Sequence, residues 1–220
     1  MEVQDLKDKI PEQLYKTIEK QNFTDLRPSQ SKSIEAGLLE GKNQLVCTPT
    51  GSGKTLVAEL VALSSIYNGI GKAIYIVPLK ALATEKYKDF KKKYSDIKIA
   101  LSIGDLDKTD PYLEEYDLII TVSEKLDSLL RHRVNWLKDV SVVVVDEIHL
   151  INDPRRGPTL EILITLLRKL LKNIQIIGLS ATIGNPKELA NWLDASLIED
   201  DWRPVELHKG IYHNGEIEFY

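Results

Sequence analysis

Lys54 and Thr55 close the stretch Thr48-Pro-Thr-Gly-Ser-Gly-Lys-Thr55. A lysine and a hydroxyl residue placed directly behind two glycines is the arrangement that holding a polyphosphate requires. Gly51 and Gly53 let the backbone curl, so that the N–H groups of Thr50, Gly51, Ser52 and Gly53 converge on an anion. Lys54 can then reach β- and γ-phosphates, and the Thr55 hydroxyl can ligate Mg²⁺. The apolar run Gln44-Leu-Val-Cys47 precedes the loop and the apolar segment Leu56-Val-Ala-Glu-Leu-Val-Ala-Leu63 follows it. That order is strand, turn, helix, and the helix N-terminus adds its positive dipole end. A turn that merely joins strand to helix would explain Gly51 and Gly53 but not Lys54 and Thr55. One departure stands out: the pattern G-x-x-x-x-G-K-[ST] asks for glycine where this chain has Thr48.

A second set of chemistry-bearing residues follows the apolar run Ser141-Val-Val-Val-Val-Asp146. Adjacent carboxylates at the end of a buried strand are costly unless they meet a cation or a reacting group. Asp146 suits Mg²⁺ beside Thr55, and Glu147 can polarise a water for attack on a γ-phosphate. Ending a strand and capping a helix is the plainer role for the pair, and the phosphate loop upstream weighs against it. His149 is a single histidine, a type more often packed than catalytic. Ser180 and Thr182 close another strand and by themselves suit helix capping.

The elements that must position these groups alternate. Residues 5–21 read as one amphipathic helix from Leu6, Ile10, Leu14 and Ile18, with Pro11 near its start or interrupting it. Arg27-Pro28-Ser29 marks a turn, with Ser29 a cap for the next helix and Gly41 its end. Strands are expected over 72–78, 98–103, 117–122, 141–146 and 174–179, and helices over 80–94, 123–133, 158–172 and 185–193. Repeated β–α units with near-continuous apolar strands predict an α/β fold, a mostly parallel sheet with helices on both faces, whose ligands sit at the strand carboxyl ends. Asp201-Trp-Arg-Pro204 looks like a connection, and Val205–Tyr220 like a hairpin around His213-Asn-Gly215. The expected division is 1–40 for N-terminal helices, 41–200 for the nucleotide-binding domain and 201–220 for a linker and hairpin.

The 220 residues are 43% hydrophobic, enough for one substantial core. A net charge of −4 excludes a bulk basic signature, so any nucleic-acid contact must come from a local surface. The single cysteine, Cys47, permits no internal disulfide and is expected to fill the core. Lys91-Lys-Lys93 reads as a solvated helix face. The charged N-terminus lacks a signal-peptide pattern, and no run has the roughly 20 apolar residues of a membrane span. The expectation is a soluble, cytoplasmic monomer without membrane contact.

Together, TPTGSGKT, PLKALA, TVSEKLDSLL, DEIH and SATIGN resemble the superfamily 2 DExH-box helicases, with spellings like those of archaeal DNA-repair helicases of the Hjm type. LRPSQ matches the adenine-reading Q motif of that family, and DPRRGPTLE also fits. The resemblance implies the first RecA-like motor domain of a P-loop NTPase that uses ATP and Mg²⁺ and acts on single-stranded or forked DNA. Repair, fork remodelling and 3′ to 5′ unwinding are implied with it. Gln30 would read adenine, while Lys54, Thr55, Asp146 and Glu147 would run hydrolysis. His149, Ser180 and Thr182 would couple nucleotide to nucleic acid. Pro78, Leu79 and Lys80, with Thr121, Ser123, Glu124 and Lys125, would line the path of a sugar-phosphate backbone. RNA as the strand, or a nucleotide-switched binding module that never hydrolyses, stays open. Such enzymes have a second RecA-like domain with completing arginines and later DNA-gripping domains. No counterpart is seen among the 220 residues, so feeble hydrolysis and no unwinding are expected of this chain alone.

Overall fold

The computed structural model describes residues 1–21, 24–105, 108–171 and 173–219. Seven parallel strands form its main sheet: β1 Gln44–Cys47, β2 Lys72–Val77, β3 Ile99–Ser102, β4 Leu118–Val122, β5 Val140–Val145, β6 Gln175–Ser180 and β7 Ser196–Glu199, in the order β3-β4-β2-β5-β6-β1-β7. Side chains alternate between the sheet's faces. Val142 and Val144 of β5 join a core with helices α1 Glu12–Glu19, α2 Pro28–Glu35, α3 Lys54–Tyr67 and α4 Lys80–Lys93. Val143 and Val145 point into a second core under α5 Ser123–Arg131, α6 Gly157–Leu170 and α7 Pro186–Leu193. Both faces of β5 are therefore covered, which is why its run is uniformly apolar. Cys47 is buried in the second core. Among the described residues no helix is long and apolar enough to cross a membrane.

The helical run expected over 5–21 is interrupted and forms two pieces, a 3-10 turn at Val3–Leu6 and then α1. Pro11 takes an extended conformation and supplies no N–H, so it separates them and stands before α1 as its N-cap. Leu6, Ile10, Leu14 and Ile18 are nonetheless all buried. Of the two places the sequence allowed Pro11, near the start of the helix or interrupting it, the structure takes the second. Helix α2 starts at Pro28 with Arg27 as N-cap, so Ser29 lies inside it and caps nothing. That helix stops at Glu35, ahead of left-handed Gly37, and Gly41 instead ends a 3-10 turn at Leu38–Glu40. Strand β7 escaped notice because it is short and only Ile198 of it is buried. The last residue of the helix expected over 158–172, Lys172, and the tail's Tyr220 lie outside the described residues. The hairpin is present as β8 Gly210–His213 and antiparallel β9 Glu216–Phe219, turning on Asn214 and Gly215, both at positive φ.

Gly157 opens α6 against the backbone of the preceding turn, and a β-carbon there would lie 2.1 Å from the Ile151 carbonyl oxygen. Gly157→Ala should therefore lower unfolding stability by about 1–3 kcal/mol, the usual range for overpacking. Urea denaturation checks this, and an unchanged midpoint would mean that the turn yields freely.

Candidate nucleotide site

The turn from β1 into α3 is held open by three sets of bonds. Buried Thr48 places its hydroxyl 2.7 Å from that of Ser52, so the residue standing in place of glycine ties the loop's two ends together. Gly53, at φ 91, lies so close to α2 that a β-carbon would fall 2.4 Å from Gln30 Nε2. Gln30 Nε2 donates to the Gly53 carbonyl at 3.0 Å, while Gln30 Oε1 accepts from the Arg27 backbone N–H at 2.8 Å. Gln30 thus braces the phosphate loop and starts α2 in one stroke. Thr50 and Gly51 are exposed at the loop's crest and Ser52 is buried beneath it. The Arg27 guanidinium bonds the Gly51 carbonyl and lies over the Trp202 ring, 5.5 Å from its centroid.

Lys54 Nζ donates to the carbonyls of Thr48 at 2.7 Å and Pro49 at 3.0 Å. Burial pulls its pKa below the ordinary lysine value, while the nearby Glu147 and Asp146 carboxylates pull it back up. A cleft of about 370 Å³ brings together Lys54, Thr55, Asp146 and Glu147. A second cleft of about 310 Å³ shares Arg27, Gly53 and Thr55 with it and reaches Gln30, Asp25 and Glu59. The two form a trough divided by the loop, one side phosphate-sized and charged, the other flanking Gln30.

At the end of β5, the Asp146 backbone N–H is held by the Ile76 carbonyl at 2.8 Å and its Oδ2 accepts the Tyr75 hydroxyl at 3.1 Å. Glu147 sits in the left-handed region at φ 53, a strained place for a glutamate. His149 Nδ1 lies 3.4 Å from Glu147 Oε2 and 3.4 Å from Ser180 Oγ, so one imidazole bridges the ends of β5 and β6. Thr182 is exposed beyond Ser180.

The residues expected along a nucleic-acid strand divide in two. Pro78 is half-buried, Leu79 and Lys80 are exposed at the start of α4, and Glu124 is partly open beside Ser123, whose Oγ donates to it at 3.2 Å. Thr121 and Lys125 are corrections. Thr121 is fully buried and donates to the Ser102 carbonyl at 2.7 Å. Lys125 is fully buried, donates to the carbonyls of Asp105 and Lys108 at 2.6 Å each, and pairs with Asp110 at 3.1 Å. Neither faces a strand here: Thr121 ties β4 to the end of β3, and Lys125 fastens the loop after β3 from inside. Lys91–Lys93 are all exposed, as a solvated helix face requires, and Lys93 also pairs at 2.8 Å with Glu59, a carboxylate buried on α3 that accepts from the Tyr94 hydroxyl as well.

Sequence reasoning missed Arg27, Tyr75 and Lys86, and singled out Arg156 only within DPRRGPTLE. Lys86 Nζ donates to Thr55 Oγ1 at 3.1 Å, and Arg156 Nη1 donates to the Pro78 carbonyl at 3.4 Å. The signal for Lys86 was its place between Ala83 and Phe90, one helical turn from each, on the buried stripe of α4.

Fold and site together define a phosphate-loop nucleotide-binding domain. The chain belongs to the DEAD/DEAH box helicase family, whose profile matches residues 27–189. It is 60% identical over 205 residues to the ATP-dependent DNA helicase Hel308 of Methanocaldococcus jannaschii, covering 90% of this chain and 17% of that protein. With the Methanococcus vannielii protein of the same name it shares 56% over 203 residues, 89% of this chain and 27% of the relative. The chain thus spans between about a sixth and a quarter of these relatives' lengths. The solved structure of Mycobacterium smegmatis helicase Lhr, bound to single-stranded DNA and AMP-PNP, superposes with a TM-score of 0.76 at 28% identity, over 87% of this chain and 28% of that one. The seven-stranded sheet is the RecA-like helicase motor fold.

Removing a buried partner of an ion pair costs about 3–5 kcal/mol. Lys125→Met should accordingly destabilise the domain by about 3 kcal/mol in urea titration. A surface contact residue would instead leave the midpoint where it was.

Proposed function

We propose that this chain is the ATP-binding motor domain of an ATP-dependent DNA helicase acting in repair and fork remodelling, with 3′ to 5′ polarity. The observation that carries this is the cleft that gathers Lys54, Thr55, Asp146 and Glu147 from the carboxyl ends of β1 and β5, two strands far apart in sequence and separated in the sheet by β6 alone. The named relatives and the DNA-bound homologous structure support the choice of DNA. The same resemblance supports a monomer that works with further helicase domains.

Gln30 keeps one amide N–H and one acceptor lone pair beyond its two bonds to the fold, enough for the paired donor and acceptor on an adenine edge. Lys54 exchanges its two loop carbonyls for β- and γ-phosphate oxygens, a trade of neutral acceptors for charged ones. Thr55 and Asp146 offer hard oxygen donors in one cleft. Among the described residues no cage of three His, Cys, Asp or Glu side chains exists, which fits an ion that takes its other ligands from phosphate and water. Mg²⁺ held there would neutralise charge developing on the phosphates. Glu147 faces the same cleft, where its carboxylate can accept a proton from the attacking water. Protonation or movement of Glu147 is felt by His149 and passes to Ser180 at the end of β6. Leu79 and Lys80, at the free N-terminus of α4, present a cation and backbone donors to strand phosphates without reading bases.

Calorimetry with a non-hydrolysable ATP analogue and Mg²⁺ tests the assignment: wild type should bind and Lys54→Ala should not. Glu147→Gln should bind as wild type does but lose about 10²–10⁴-fold in single-turnover hydrolysis, the range for a lost general base. Full activity in Glu147→Gln would point to a nucleotide switch whose chemistry lies elsewhere.

A further inference from the structure

Lys86 belongs to neither the phosphate loop nor the β5 carboxylate pair, yet its ammonium is in the cleft they form. Helix α4 puts it there: Ala83 and Phe90 are buried, and Lys86 shares their stripe rather than the solvent face. The Phe90 ring packs edge-on to Tyr75 at 5.7 Å, and Lys86 Nζ lies over the Tyr75 ring, 5.6 Å from its centroid. Cation–π contact and packing fix the direction of the stem. The ammonium then donates to Thr55 Oγ1 at 3.1 Å, while the same Tyr75 donates its hydroxyl to Asp146 Oδ2 at 3.1 Å. One lysine and one tyrosine therefore hold the two oxygen donors that a nucleotide-bound metal would take.

We propose that Lys86 is a gate on metal–nucleotide binding: its ammonium competes with Mg²⁺ for the Thr55 hydroxyl and must swing off that oxygen when the metal–nucleotide binds. This rests on the nucleotide function argued above. A metal ligand lies about 2.1 Å from its ion, so an ammonium 3.1 Å from the same oxygen would be held near a divalent charge. That repulsion persists even at the dielectric of water. The flexible four-carbon stem lets the ammonium move to a phosphate oxygen.

The test is the Mg²⁺ dependence of binding of a fluorescent adenine nucleotide, titrated from EDTA upward in wild type, Lys86→Met and Lys86→Arg, with thermal unfolding confirming each fold. Lys86→Gln stands in if the methionine variant does not fold. Lys86→Met should reach half-saturation at roughly tenfold lower Mg²⁺, the effect of removing one charge about 5 Å from a divalent ion. Lys86→Arg, which still donates to Thr55, should keep the wild-type midpoint. An unchanged midpoint in Lys86→Met with intact binding overturns the gate alone. So does a midpoint moved to higher Mg²⁺ with weaker binding, which would make Lys86 a plain phosphate ligand. Wild type failing to bind at any Mg²⁺ concentration overturns the nucleotide function itself, and the gate with it.

Discussion

The parallel register of the central strands is the constraint on which everything else depends. Cys47 pairs with Ser180, Val145 with Gly178, Ile76 with Val145 and Val77 with Val122. These pairings bring the carboxyl ends of β1, β6, β5, β2 and β4 to one edge at nearly one level. The phosphate loop, the SATIGN turn, the carboxylate pair, the PLK turn and the start of α5 all leave from that edge. A slip of one residue would turn each strand's core-facing side chains to the opposite layer. Burial on both faces forbids the slip, so the same apolar side chains that stabilise the sheet also aim the polar ones.

What was legible in the sequence follows from this. Strands buried on both faces write themselves as unbroken Val and Ile runs, and their ends locate the chemistry. Lys54, Thr55, Asp146 and Glu147 could be named because type, order and strand position agreed. Thr121 and Lys125 were placed wrongly for a physical reason. A lysine in the first turn of a helix looks like surface until the loop that it fastens is folded over it, and no local pattern records that loop's path. Lys86 was hidden in the opposite way, as one cation in a lysine-rich helix whose inward stripe is set by Ala83 and Phe90. Pro11 shows the limit of periodicity: spacing marked the buried positions, while the missing N–H decided the path.

Several polar groups do two things at once, which ties the site to the fold's stability. Gln30 both starts α2 and braces Gly53. Glu59, buried beneath the Gln30 cleft, joins α3 to α4 through Lys93 and Tyr94. Burial of that carboxylate is tolerable because both of its oxygens are bonded. Movement of α4 relative to α3 is therefore constrained at two points one turn apart near the start of α3, by Thr55 through Lys86 and by Glu59 through Lys93 and Tyr94.

The left-handed backbone at Glu147 has an implication for how this sequence can change. A non-glycine residue held there carries about 1–3 kcal/mol of strain. Asparagine or glycine would occupy the same φ with less. Selection for heat resistance alone would drift this position away from glutamate, and selection for turnover would draw it back. Under the water-activating role proposed for Glu147, the residue that function needs is one that stability by itself would discard, so the two kinds of fitness are opposed at a single peptide unit.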